Sequence, residues 1–166
     1  MPRRRRDRVE CLTVLCPVCQ DPLVIVECGG VELDACVRCQ GLWFDAQELQ
    51  QLFALAGVPD QILDLVERLE VLPQAGPRRR CPRCRARMVR VHDPGMVPDV
   101  ILDRCPADDG LWFDRGELGA FGHGFLGEED AALARVRRYL GAFFEPRLRA
   151  ADAASSGAPP HEGDSP

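Results

Sequence analysis

Lysine is missing: all 21 basic residues of this 166-residue chain are arginine. That usage looks like a GC-rich coding sequence, and points to a GC-rich bacterial source more than to any physical demand. Aromatics are scarce, with two Trp and one Tyr, so little surface is on offer for stacking nucleic-acid bases. No apolar run approaches the roughly 20 residues needed to cross a bilayer. Membrane insertion is therefore not expected. The start, from Met1 through the arginines to Arg8, leads into neither an unbroken apolar stretch nor a small-residue cleavage site. Nine cysteines are then not read as the disulfide framework of a small secreted protein. The thiols are expected to be reduced and the chain cytoplasmic.

What is present is a duplication. Cys16-Pro17-Val18-Cys19 is answered by Cys81-Pro82-Arg83-Cys84, and Gly41-Leu42-Trp43-Phe44-Asp45 by Gly110-Leu111-Trp112-Phe113-Asp114. The offset is 65 at the first of these motifs and 69 at the second, so the later copy holds four extra residues between them. Asp93-Pro94-Gly95, a turn sequence, is where the addition is expected to enlarge a hairpin.

In the first copy, Leu23 to Glu27 and Val31 to Ala35 read as short strands around Gly29-Gly30, a dipeptide suited to the positive φ of a tight turn. A Cys-x-x-Cys pair stands at each end of this hairpin, the pairs separated by 16 residues. Two close pairs offer four soft donors, and the chain between them is long enough to fold back. This is zinc-site spacing, with Cys16, Cys19, Cys36 and Cys39 as ligands. Reduced cysteines that merely fill space, or iron held by four thiolates, are the competing readings.

After each second knuckle a helix is expected. Asp45 with Glu48, and Asp114 with Glu117, have capping-box spacing, the first side chain accepting from an early helical N–H and the fourth reaching back. Leu49, Leu52 and Phe53 form the buried stripe of a helix ending near Gly57, and Ile62, Leu65, Val66 and Leu69 form a second stripe. Trp43 and Trp112 are expected to pack over the metal sites, with ligand stacking as the alternative. Cys11 and Cys28 stand outside the ligand register. Of the roles open to them, small buried residue, spare ligand or redox-sensitive thiol, the first is favoured.

The order Cys-Pro-x-Cys, hairpin, Asp-x-Cys-x-x-Cys, Gly-Leu-Trp-Phe-Asp-x-x-Glu-Leu resembles a bacterial zinc-finger family related to the transcription factor IIB zinc ribbon. The likeness runs from Cys16 to Leu49, with Asp34 before Cys36, and from Cys81 to Leu118, with Asp103 before Cys105. It implies a zinc-ribbon fold and zinc ligation by the matching cysteines, and little about activity. The second copy departs from the pattern where Asp108 stands in place of a fourth cysteine. Cys81, Cys84, Cys105 and Asp108 form a chemically sound site of three thiolates and a carboxylate. His92, Asp109 or water as substitute, or an empty site, stay open. An open fourth position would resemble catalytic zinc geometry, but no base or substrate pocket is evident nearby, so enzymatic activity is not expected.

The fold class is therefore small α+β: two tandem zinc ribbons, each followed by a helix, then a C-terminal amphipathic helix and a disordered tail. The layout is an Arg-rich mobile start (1–10), first ribbon with its helix (11–57), helix and linker (58–77), second ribbon (78–122), C-terminal helix (123–146) and tail (147–166). Leu133, Val136, Leu140 and Phe143 mark that last helix, beginning near Glu128. His92 and His123 are expected to face solvent.

The formal charge is −5, and filling both sites with zinc takes it to roughly −8. An acidic total argues against indiscriminate polyanion binding. Yet Arg78, Arg79, Arg80, Arg83, Arg85, Arg87 and Arg90 run without an acidic residue among them. The expected function is a non-catalytic docking module for another protein, in a transcription-related setting. Weak nucleic-acid binding through Arg78–Arg90 and the Arg3–Arg8 segment, or a zinc- or redox-responsive thiol protein, are the alternatives.

Overall fold

The structure is a computed structural model that describes residues 13–55, 57, 66–73, 78–107 and 110–126, with isolated positions 131, 134 and 138. Its elements are β1 (Val24–Cys28), β2 (Val31–Ala35), β3 (Leu42–Phe44), α1 (Ala46–Leu55), β4 (Glu70–Val71), β5 (Val89–His92), β6 (Leu102–Arg104), β7 (Leu111–Phe113) and α2 (Glu117–Leu126). The Gly29-Gly30 hairpin forms with φ of 61° and 88°, the left-handed pair that a two-residue turn requires and that glycine adopts without strain.

The two copies do not fold as separate units. All seven strands belong to one antiparallel sheet in the order β1-β2-β3-β7-β6-β5-β4. The copies meet at the pairing of β3 with β7, where Leu42 faces Phe113, Trp43 faces Trp112 and Phe44 faces Leu111. These central strands are three apolar residues in a row, buried on both faces. An uninterrupted apolar run is what a strand covered on both sides demands.

Alternation then divides the interior in two. Leu42, Phe44, Leu111 and Phe113 join a core with Leu49, Leu52 and Phe53 of α1 and Leu118 and Phe121 of α2. In that core Phe113 makes edge-on contacts with Phe44 and Phe121, with ring centroids 5.3 and 5.5 Å away. The opposite face holds Trp43 and Trp112 together with Cys16, Cys36, Cys39, Cys81, Cys105 and Met88. Cys28 is buried at 2% exposure in the helix-side core, a small apolar residue as expected.

α1 ends as expected, with Gly57 at φ 87° donating its N–H to Ala54 O, a left-handed residue closing the last turn. Beyond it, Val66 to Arg68 are helical and Leu69 is buried, whereas Ile62 and Leu65 lie outside the described residues. The linker also supplies a strand the sequence did not reveal: β4 pairs Glu70 with His92 and Val71 with Val91. The four added residues of the second copy do more than lengthen a turn. Asp93 accepts the Gly95 N–H and pairs with Arg68 at 3.1 Å, and Met96 and Val100 fold back into the helix-side core. Of the segment expected to form a C-terminal helix, only Ala131, Ala134 and Arg138 are among the described residues, each helical and exposed. Leu133, Val136, Leu140, Phe143, the tail, the Arg-rich start and Cys11 lie outside the described residues.

Candidate metal centres

Each Cys-Pro-x-Cys bends into a tight knuckle. Cys16 N–H donates to Asp21 O and Gln20 N–H to Cys16 O, and the same pair of bonds recurs at Cys36 with Gln40 and Gly41. Gln20, Gln40 and Arg85, each just after a knuckle, sit at φ of 61°, 59° and 65°. The bend aims backbone N–H groups at sulfur. Val18 and Cys19 donate to Cys16 Sγ at 3.4 and 3.5 Å, Cys39 to Cys36 Sγ at 3.5 Å, and Arg83 and Cys84 to Cys81 Sγ at 3.3 and 3.4 Å. Such donors favour the thiolate over the thiol.

The four sulfurs of Cys16, Cys19, Cys36 and Cys39 lie within 4.8 Å of one another, as do those of Cys81, Cys84 and Cys105. Contacts across the sites are 3.4 Å for Cys16 with Cys39, 3.3 Å for Cys19 with Cys36 and 3.4 Å for Cys84 with Cys105. Tetrahedral thiolates around zinc stand about 3.8 Å apart, so a few tenths of an ångström separate these clusters from a filled geometry. The donor set fits zinc. Without a cation, burial pushes the Cys16 and Cys81 thiols up and carries Cys39 to about 11. Burial also acts upward on Cys36, but the Cys39 N–H, the neighbouring thiols and the Arg38 N–H outweigh it and hold that group below its ordinary value. A bound dication reverses the balance, because the ligands must deprotonate to coordinate it.

Asp108 and Asp109 lie outside the described residues. The bond that closes their knuckle is nevertheless seen, with Cys105 N–H donating to Gly110 O at 2.8 Å as Cys36 N–H does to Gly41 O at 2.9 Å. His92 is engaged elsewhere, its Nδ1 3.0 Å from Asp99. Neither histidine is freely exposed: His92 is half-buried, and the Nδ1 of His123 is enclosed in α2.

Trp43 and Trp112 are fully buried beside the sulfurs, as packing over the sites requires. Their indole N–H groups explain a departure at the helix starts. Glu48 and Glu117 reach back to the N–H of Asp45 and Asp114 at 2.8 and 2.7 Å, as a capping box does. The Asp carboxylates instead accept from indole, Trp43 to Asp45 at 2.7 Å and Trp112 to Asp114 at 2.9 Å. Cap and metal cover are thereby linked.

The Arg run reads as a local basic face in sequence, yet two of its members are turned to carboxylates. Arg79 holds Asp103 at 2.8 Å and Asp114 at 2.9 Å. Arg83 reaches from the second ribbon to the first, 2.7 Å from Asp34 and 3.5 Å from Asp45. Asp34 and Asp103, at 6% and 8% exposure, are the Asp of each Asp-x-Cys motif. Burial raises both carboxyls and their arginines oppose the shift. A buried Asp in a repeated motif needs a cation, and that signal could have picked out these arginines in advance.

A family model described as transcription factor zinc-finger matches residues 15–55 and 80–121, which together make half of the chain. The chain belongs to this zinc-ribbon family. It carries two copies, and the two cysteine clusters of the ribbons can each hold a zinc ion. No curated protein and no solved structure matches the chain. Among the described residues no helix is long and apolar enough to cross a membrane.

Proposed function

We propose that this zinc-ribbon protein is a non-catalytic docking module for another protein, with transcription the setting that the family description favours. Cys16, Cys19, Cys36 and Cys39 would hold one zinc, and Cys81, Cys84 and Cys105 with Asp108 a second. Zinc there supplies a cross-link that a small hairpin lacks, and four thiolates leave no open position for a reacting group. Burial of Cys16, Cys36, Cys81 and Cys105 at 0% exposure supports the structural over the catalytic reading.

The observation that carries the docking reading is an asymmetry of surface. Val18, Val24, Ile25 and Val37 of the first ribbon are 42%, 40%, 69% and 71% exposed. At the matching places the second ribbon has Arg83, Val89, Arg90 and Pro106. At Val18 and Ile25 the second copy carries arginine instead, and apolar side chains left in water on one copy suit a partner's surface. Affinity capture from extract of the cells that make the protein, with zinc-loaded and zinc-stripped bait, tests this. A partner retained by the loaded wild type and lost with Ile25→Glu or Val37→Glu is expected. Capture unaffected by both substitutions would overturn the reading.

Nucleic-acid binding has weaker support, since Arg79 and Arg83 are committed to carboxylates. Arg78, Arg80, Arg85, Arg87 and Arg90 remain exposed and suffice for weak, salt-sensitive attraction.

A further inference from the structure

Each ribbon keeps two carboxylates beside its tryptophan, Asp34 and Asp45 in the first, Asp103 and Asp114 in the second. The copies draw the matching cation from different places. In the second, Arg79 of the same ribbon donates to Asp103 at 2.8 Å and Asp114 at 2.9 Å. By the repeat offset of 65 its counterpart in the first is Val14, which leaves a hollow of about 310 Å³ lined by Val14, Asp34, Glu48 and Arg83. The cation that enters this hollow comes from the other ribbon: Arg83 stands 2.7 Å from Asp34 and 3.5 Å from Asp45. The reach has no return, because the residue that matches Arg83 in the first ribbon is Val18.

Both ends of this link are tied to a cysteine cluster. Arg83 is one of two residues between Cys81 and Cys84, and its own N–H donates to Cys81 Sγ at 3.3 Å. A zinc ion on those sulfurs fixes both ends of the Pro82-Arg83 turn, and with them the root of the arginine. At the far end, Asp34 faces Trp43 in the strand register and lies two residues before Cys36. Asp45 accepts the Trp43 indole N–H at 2.7 Å, and Trp43 is fully buried in the layer that holds Cys16, Cys36 and Cys39. The pair with Asp34 is the one that matters. Asp45 is 44% exposed, where an ion pair is worth little; Asp34 is 7% exposed, and a buried carboxylate stripped of its cation is costly.

We propose that Arg83 is a positioning residue through which zinc in the second cluster sets the zinc affinity of the first. The second cluster has one cysteine fewer and releases its ion first as zinc falls. Its knuckle then no longer holds Arg83 in place, Asp34 loses its cation, and the strand that leads into Cys36 loosens around the first ion. Coupling of binding free energies is reciprocal, so filling the first cluster favours the second in turn. The inference rests on zinc ligation by both clusters and is independent of the docking reading.

The test is a chelator competition on the zinc-loaded full chain. Amide signals of Cys36 and Cys39 report the first cluster, those of Cys84 and Cys105 the second, and the Asp34 carboxyl carbon the link. Cys84→Ser, which disables the second cluster, should weaken zinc at the first by about tenfold. Arg83→Met, which keeps the stem and removes the charge, should do the same with the second cluster filled. The double variant should be no weaker than Cys84→Ser alone, because the arginine has nothing left to transmit. In the wild type the Asp34 signal should move as the second cluster empties, ahead of the Cys36 and Cys39 signals; in Arg83→Met it should wait for the first. That measurement decides the matter even if Cys84→Ser fails to fold. The proposal is overturned by first-cluster affinity unchanged in a folded Cys84→Ser protein, by an Arg83→Met loss as large in that background as in the wild type, or by an Asp34 signal that ignores the second cluster. Wild type whose first cluster holds no zinc fails the ligation reading itself, which metal content separates from a loss of coupling. At saturating zinc the first cluster stays filled in every variant, so the coupling shows only under competition.

Discussion

Gly110 has no side chain because Trp43 occupies its place: a Cβ built there would lie 2.1 Å from the indole Cζ2. The contact is reciprocal, with a Cβ on Gly41 also 2.1 Å from Trp112. Each Gly-Leu-Trp-Phe motif therefore gives its tryptophan to the other copy and receives one in return. The motif that marks the repeat in sequence is the joint between its two halves.

Gly41→Ala and Gly110→Ala should each destabilise by about 2 kcal/mol or more, because both rings are fully buried and cannot swing aside. Gly30→Ala is the contrast: nothing lies within 4 Å of its Cβ, and its cost should come from its positive φ alone, about 1 kcal/mol. Urea titrations of the zinc-loaded proteins check the order. Equal losses at all three sites would show that the exchanged rings have room to move.

Metal analysis of protein purified without chelator should find between one and two zinc per chain, since structural zinc contributes on the order of 10 kcal/mol to such a fold. Both clusters border one sheet and one apolar layer, so stripping zinc should melt both ribbons together in far-UV dichroism. Asp108→Ala should lower occupancy of the second site, and Asp108→Cys should raise its affinity, with the first unaffected. Undiminished structure without metal would contradict the zinc-ribbon assignment of both clusters.

Replacing arginines of the 78–90 run should give two separate results. Arg79→Ala strands Asp103, buried at 8% exposure, and should cost about 2 kcal/mol of stability. Arg78→Ala and Arg80→Ala should change stability by less than about 0.5 kcal/mol. Each should lower the salt slope of DNA binding by about one for every phosphate the side chain had neutralised. Thermal melts beside fluorescence anisotropy at several ionic strengths separate the two effects. Tight, sequence-selective DNA binding at physiological salt would replace the docking reading.

Glu117 should make stability depend on pH. Burial, reinforced by Asp114 and Asp103 against the pull of the Asp114 N–H and Arg79, pushes its carboxyl up to about 7. A folded value above the ordinary one means that the folded chain holds a proton which the unfolded chain releases. The contribution is fully present below about 4.5 and is lost as pH rises through about 7. Glu117→Gln keeps an oxygen for the Asp114 N–H and never ionises. Its Tm should exceed the wild type's at pH 8, and the difference should shrink as pH falls toward 5 in zinc-saturated buffer.

The parts legible in the sequence were those set by neighbours along the chain. Cys-x-x-Cys spacing marked the knuckles, Gly29-Gly30 the hairpin, the 3–4 spacing of Leu49, Leu52 and Phe53 the buried face of α1, and Gly57 its end. Each follows from backbone geometry within a few residues, so local composition was enough. The Leu-Trp-Phe runs did carry a further signal, three adjacent apolar residues being a strand buried on both faces, but not the identity of the strand beside it. That Trp43 pairs with Trp112, that Arg83 serves Asp34 across the joint, and that Val14 leaves a hollow where Arg79 fills one all depend on residues 49 to 69 positions apart. Repetition says that two copies share a shape; which edges they press together is set by burying both apolar strands and pairing their backbone groups at once, and that condition exists only in the assembled sheet.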